Sequence, residues 1–247
     1  MSRLTESGQV EGSFAWDQIR FVVFDVDGTL YRQAPLRVRM AAKLLWHALA
    51  RRDFKTPASL RYYRKLREEL GELEVPDFEA LLRARTSDRF GIRADDVDEI
   101  VAKWIEQEPL PYLPRCAYSG LPQLFAGIRE SGRAIGILSD YGAIAKLSAL
   151  GLAADRIVVA GDVGMLKPNP RGLQTLMESA GVTAAQTVLI GDRIERDGAA
   201  ARRAGANALI LRRRPVEGWT TFRGYEDPIF DVFTKRPQPP RIAECDA

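Results

Sequence analysis

The sequence predicts an α/β fold: a Rossmann-like parallel sheet with an α-helical domain inserted into it. Three observations carry that prediction. Short apolar runs recur as RFVVFD (20–25), AIGILSD (134–140), RIVVAG (156–161), TVLIGD (187–192) and NALIL (207–211). The last four alternate with helical segments, the rhythm of a parallel sheet covered on both faces. About 90 residues of helical character separate the first run from the second.

Residues 1–19 are polar and read as a loose arm, with no apolar stretch of the signal-peptide kind. The run 20–25 is β-branched and aromatic, as a fully buried strand should be. From Pro35 to Gly120 the pattern turns helical. Met40, Ala41, Leu44, Leu45, Ala48 and Leu49 form one apolar face, while Lys43, His47 and Arg51 line another. Further helices are expected over 58–70, 77–90 and 95–107, and the three prolines of EPLPYLPR (108–115) suggest a linker. Helices at 121–131, 142–150, 171–180 and 195–203 then alternate with the strands. Residues 213–247 carry several prolines and no clear period, and read as a surface-packed or disordered tail. The expected division is an arm (1–19), a core (20–31 and 116–212), a helical cap (32–115) and a tail (213–247).

Composition narrows the function classes. The chain has 247 residues and a formal net charge of +3, too small to make nucleic acid a default partner. Two cysteines, Cys116 and Cys245, lie far apart with no zinc-ligand spacing, which fits a reducing cytosol and a cytoplasmic protein. No apolar run is long enough to span a membrane. His47 is the single histidine, so any histidine-based nucleophile mechanism would have to use it.

Three of the strands end in polar residues: Asp25, Ser139-Asp140 and Gly191-Asp192. Side by side in a parallel sheet, those ends converge where such folds place their chemistry. Two carboxylates at 4 Å repel by roughly 4 kcal/mol at an effective dielectric near 20. A hard divalent cation offsets that repulsion, and Mg²⁺ takes one or two carboxylates together with phosphate oxygens and waters. Asp197 can bind the metal, orient a metal-bound water or simply cap the following helix. Lys167, in MLKPNP, can neutralise a phosphate oxygen and hold Asp25 ionised. Ser139 and backbone amides near Asp25 and Asp140 complete a phosphate cradle. Asp25 then serves as nucleophile and Asp27 as general acid and base. Gly28 permits a tight turn. Thr29 is placed with the phosphate-binding group and holds Asp27 by a local hydrogen bond. Arg193 either forms a structural ion pair or supports the metal shell.

DVDGT (25–29), Ser139 after an apolar strand, Lys167-Pro168 and GDRIERD (191–197) together resemble the four motifs of the haloacid dehalogenase-like superfamily, in order and in the spacing of the last three. The resemblance covers about 20–30 and 134–211. It implies a Mg²⁺-dependent phosphatase with Asp25 as nucleophile, Asp27 as acid/base, Ser139 and Lys167 as phosphate holders, and Asp192 as metal ligand. The main-chain carbonyl of Asp27 would be a further metal ligand. The helical insert resembles the family's cap by position. Dehalogenase members lack the second aspartate and phosphonate-cleaving members carry alanine there, so Asp27 favours phosphate transfer. Asp140 stands where asparagine is common, and its side chain is expected to turn away so that only its amide contributes.

The leading expectation is a phosphomonoester hydrolase of a small anionic metabolite, as monomer or homodimer. A phosphomutase and a non-catalytic binding protein on the same scaffold remain alternatives. Between Tyr31 and Arg67 eleven Lys/Arg face one acid, Asp53. That segment is either a solvated surface with pairs such as Lys65–Glu69 and Arg64–Glu68, or a positive funnel for an anionic substrate or acidic partner. Tyr62 and Tyr63 are candidates for stacking on a base or sugar.

Overall fold

Every residue of β1, Phe21–Phe24, is buried, and a strand buried on both faces must be central in its sheet. The computed structural model describes residues 14–234. β1 is joined by β2 (Ala134–Ser139), β3 (Arg156–Val159), β4 (Thr187–Gly191), β5 (Asn207–Leu211) and β6 (Thr220–Phe222). All pair in parallel, in the order β3-β2-β1-β4-β5-β6. Val23 registers with Gly136 on one side and Leu189 on the other. The strand order reverses at β1, so the carboxyl ends of β1, β2 and β4 open together at a topological switch point.

Side chains alternate across β1 into two apolar layers. Val22 and Phe24 join Leu124, Phe125, Ile128 and Phe230 on one face. Phe21 and Val23 join Leu173, Leu176 and Leu189 on the other. Phe24 stacks on Phe125 with ring centroids 4.7 Å apart.

Between β1 and β2 the chain is helical: α1 (Gln33–Arg51), α2 (Lys55–Glu72), α3 (Phe78–Phe90), α4 (Ala94–Val101) and α5 (Leu113–Cys116), then α6 (Leu121–Glu130), which covers the sheet. A π-helical turn, Ala102–Gln107, extends α4. The entry and exit of this segment run side by side: Arg32 N–H donates to the Cys116 carbonyl at 2.9 Å, and Tyr118 N–H to that of Leu30 at 3.2 Å. The later helices are α7 (Ile144–Leu150), α8 (Ala160–Val163), α9 (Arg171–Ala180), α10 (Ala199–Arg203) and α11 (Asp231–Thr234). Among the described residues no helix is long and apolar enough to cross a membrane.

Several expectations are corrected. Residues 213–234 are neither a disordered nor a merely surface-packed tail: β6 extends the sheet, and Phe222, Tyr225, Phe230 and Phe233 are buried. Residues 14–19 are not a loose arm either: Trp16 and Ile19 are buried, and the Trp16 indole N–H donates to the Ile229 carbonyl at 2.6 Å. The rest of both segments, 1–13 and 235–247, and Cys245 with them, lie outside the described residues. The linker 108–115 is a 3₁₀ turn, Leu110–Tyr112, running into α5, with Leu113 fully buried. Of the apolar face expected on α1, Met40 and Ala48 are buried, whereas Leu45 and Leu49 stand 60% and 62% exposed. Periodicity marks an apolar stripe without saying what covers it.

The C-terminal aromatics supply a testable consequence. Phe230→Ala should cost about 3–5 kcal/mol, as a fully buried aromatic does on truncation. Urea unfolding reads the effect, and a loss below about 1 kcal/mol would show that 213–234 does not belong to the core.

Candidate active site

The carboxyl ends of β1 and β4 and the loop before α9 meet at one buried ammonium. Lys167 Nζ lies 2.5 Å from Asp25 Oδ1 and 2.7 Å from Asp197 Oδ1, with all three residues nearly inaccessible to solvent. The other oxygens of those carboxylates are also held. Thr29 Oγ1 donates to Asp25 Oδ2 at 2.8 Å, and the amides of Asp192 and Arg193 donate to Asp197 Oδ2 at 3.2 and 3.0 Å. Asp25, Asp192 and Asp197 each present a carboxylate oxygen within 4.8 Å of the others'. Asp192 Oδ1 is buried without a hydrogen-bond partner.

Electrostatics follow from this crowding. Burial, with the carboxylates of Asp197 and Asp192, pushes Asp25 well above the usual carboxylate range despite Lys167. Burial and Asp197 push Asp192 up to about 6. Burial opposes the charge on Lys167, but Asp197 and Asp25 outweigh it and hold the ammonium firmly protonated. Fully ionised, three carboxylates around one ammonium would carry an excess of two negative charges, and the raised pKa values of Asp25 and Asp192 express that excess. The orphaned oxygen of Asp192, an all-oxygen donor set and that charge together suit a hard divalent cation.

Asp27 sits in a second network. Lys146 Nζ reaches its two oxygens at 2.6 and 2.8 Å, and the Tyr31 hydroxyl also donates to it. Burial would raise the Asp27 pKa, but Lys146 and Tyr31 prevail and hold it below the usual range. Gly28 follows with φ +104°, where an L side chain is strained, and a Cβ there would collide with the Asp192 carboxylate.

The other candidates divide. Ser139 is buried at the end of β2, its Oγ accepting from the Tyr141 amide at 3.3 Å. The Asp140 side chain points away to the Lys167 amide, 3.3 Å away. The local partner expected for Thr29 is corrected: its hydroxyl donates to Asp25 rather than to Asp27. The Arg193 guanidinium forms the expected ion pair, to Glu68 at 3.1 Å, and its amide donates to Asp197. Asp197 does not act as a helix cap, because it lies inside the π-helical turn Ile194–Gly198. Tyr62 packs edge-on against Phe90 and under Arg89, which occupies the ring expected to stack on a ligand.

Four nearby residues were not singled out from sequence: Lys146, Tyr31, Arg67 and Arg196. Lys146 carried a signal, as the one charge in the apolar helix AIAKLSAL. Arg196 donates to the carbonyls of Lys167, at 2.5 Å, and Glu68, at 2.9 Å. Such backbone contacts leave no trace in a motif.

Residues 19–205 match the family model described as haloacid dehalogenase-like hydrolase. The chain belongs to that family. It is similar to a glyceraldehyde 3-phosphate phosphatase of Methanopyrus kandleri, 26% identical over 225 residues that cover 87% of this chain and 93% of the other. It is also similar to a phosphoglycolate phosphatase of Rhodospirillum rubrum, 29% identical over 222 residues, covering 83% and 86%. Among solved structures, a 2-haloacid dehalogenase from Pseudomonas syringae pv. Tomato DC3000 superposes with a TM-score of 0.60 at 23% identity, covering 84% of this chain and 95% of that one. The Bacillus subtilis HAD-hydrolase YfnB, bound to magnesium, gives 0.57 at 18% identity, covering 84% and 96%. At these identities the solved structures establish the fold alone.

The crowding of acids predicts a pH effect on metal-free protein. The folded-state pKa of Asp192 is raised from 3.8 to about 6. Between those values the folded chain holds a proton that the unfolded chain has lost, so stability falls as pH rises through about 6. With EDTA at pH 7.5, Asp192→Asn should therefore raise stability by on the order of 1–3 kcal/mol. The gain should fade as pH falls toward 4, which urea midpoints at several pH values will read.

Proposed function

We propose that this chain is a Mg²⁺-dependent phosphomonoester hydrolase working through an aspartyl phosphate. The observation that carries the reading is the Lys167 ammonium bridging Asp25 and Asp197 beside a carboxylate, Asp192, that lacks a partner. Asp25, Asp192, Asp197 and the Asp27 carbonyl are the residues assigned to hold Mg²⁺. When bound, the ion neutralises charge on the transferring phosphoryl group.

This chain's residues then act in two steps. An Asp25 oxygen attacks phosphorus, and the bond from phosphorus to the ester oxygen breaks. The leaving alkoxide takes a proton from Asp27. Asp27 next removes a proton from water, which attacks the aspartyl phosphate and frees Asp25 and inorganic phosphate. Lys167 and the Ser139 hydroxyl hold phosphate oxygens, with the amides after Asp25 and at Asp140. The Lys146–Asp27–Tyr31 network favours the carboxylate form of Asp27, the base of the second step, whereas the acid form that the first step needs is favoured by the negative charge of the arriving phosphate ester. The helical segment 32–115 serves as the cap over this site, and the names of the two relatives point to a small phosphorylated metabolite as substrate.

Purified protein should release inorganic phosphate from p-nitrophenyl phosphate in the presence of Mg²⁺. EDTA, and separately Asp25→Asn, should each lower the rate by a factor of about 10³ or more, as loss of a nucleophile does. Turnover by Asp25→Asn at a tenth of the parent rate would exclude the mechanism. Release of an isomerised sugar phosphate with little free phosphate would favour the mutase.

A further inference from the structure

The outward face of α1 is apolar over its whole length. Val38, Leu45, Trp46 and Leu49 are 73, 60, 71 and 62% exposed. At 3.6 residues per turn they fall on one side of the helix with Ala34, Pro35, Ala41 and Ala42, all exposed as well. No ionisable side chain falls within this stripe. The opposite side of α1 is already covered: Leu36, Met40 and Ala48 are buried, and Leu36 and Met40 join the main apolar layer. Among the described residues nothing covers the stripe, and a soluble surface rarely shows so continuous an apolar patch without a partner.

Charge, size and area indicate what fits there. The cations on the flanks are engaged within the chain: Arg37 donates to Gln33, Arg39 lies over the Tyr112 ring at 4.4 Å and Lys43 pairs with Glu108. The stripe therefore offers a partner apolar shape rather than charge. Its amino-terminal half is small, with Ala34, Pro35, Val38, Ala41 and Ala42. Its carboxyl-terminal half is large, with Leu45, Trp46 and Leu49. Two copies laid antiparallel set each large half against a small half, Leu45 opposite Val38 and Leu49 opposite Ala34. The two-fold axis then passes between Ala41 and Ala42, where small side chains let the helices approach closely. A two-fold contact requires a surface of this kind, complementary to itself when reversed. The four large side chains expose on the order of 500 Å² per copy, hence about 1,000 Å² in a pair, the size at which specific interfaces begin.

We infer that the chain forms a two-fold dimer in which α1 packs antiparallel on α1 of a second copy. The contact joins the two helical segments and is independent of the chemistry at Asp25.

Analytical ultracentrifugation of the full chain reads the association. The parent should sediment at twice the chain mass, with a Kd of about 10 μM or tighter. Leu45→Glu and Val38→Lys, both at exposed positions, should keep the far-UV circular dichroism of the parent and each weaken association about a hundred-fold or more, because an unpaired charge enters the contact. Val38→Lys combined with Leu45→Glu should recover the dimer, since each glutamate then faces a lysine of the second copy. Oxidation in a Cys245→Ser background reads the alignment. Ala42→Cys should form a covalent dimer and Val38→Cys should not, because the two copies of residue 38 lie about 10 Å apart along the helices. A parent that stays monomeric up to about 100 μM, a dimer untouched by Leu45→Glu and Val38→Lys, or equal cross-linking at 42 and 38 overturns the inference. A monomeric parent that binds vesicles of phosphatidylcholine and phosphatidylserine would assign the stripe to a lipid surface and overturn it as well.

Discussion

A lysine ammonium held between two buried carboxylates organises this molecule's chemical end. Lys167 comes from a loop, Asp25 from the end of β1 and Asp197 from the turn after β4, so the contact ties three distant stretches of chain. Each partner would be costly alone: an unpaired buried charge destabilises by several kcal/mol. The arrangement is nevertheless unbalanced, because Asp192 adds a third carboxylate with one oxygen unsatisfied. Stability and reactivity are opposed at this point. A centre neutralised by the chain's own residues would be more stable, but it would leave no charge to receive a cation and a phosphate.

The same centre is tied to the helical segment above it. Arg196 is buried and joins the Lys167 carbonyl to the Glu68 carbonyl of α2. Around it, Arg193 pairs with Glu68 and Arg203 with Glu74. Gly71 has no side chain where Arg196 passes, and a Cβ there would collide with the guanidinium. Arg67 crosses in the other direction, from α2 to the Asp140 carbonyl. Any movement of α2 would therefore strain the loop bearing Lys167 and the one bearing Asp140. This is a physical route by which groups on the helical segment reach Lys167 and Asp140.

Much of this was legible in the sequence because it rests on periodicity and on charge at strand ends. NALIL is β5 over the same residues, and 171–180 is α9 over the same residues. The convergence of Asp25, Lys167, Asp192 and Asp197 followed from the rule that parallel strands gather their carboxyl ends. What escaped was carried by contacts without period. Phe222, Tyr225, Phe230 and Phe233 fill the core from elements of three or four residues and the turns between them, too short for a two- or a 3.6-residue repeat to announce them. The partner of Thr29 was misassigned because a sequence cannot say which of two nearby aspartates a hydroxyl will face. Lys146 was overlooked because its ion pair with Asp27 spans 119 residues.

The covalent intermediate offers the most direct measurement. Protein mixed with substrate and Mg²⁺, quenched in acid during turnover and digested with trypsin, yields the peptide FVVFDVDGTLYR (21–32). Mass spectrometry should find on it the added mass of one phosphoryl group, assigned by fragmentation to Asp25 and absent without Mg²⁺. A phosphoryl group located on another residue, or turnover during which this peptide stays unmodified, would contradict the account.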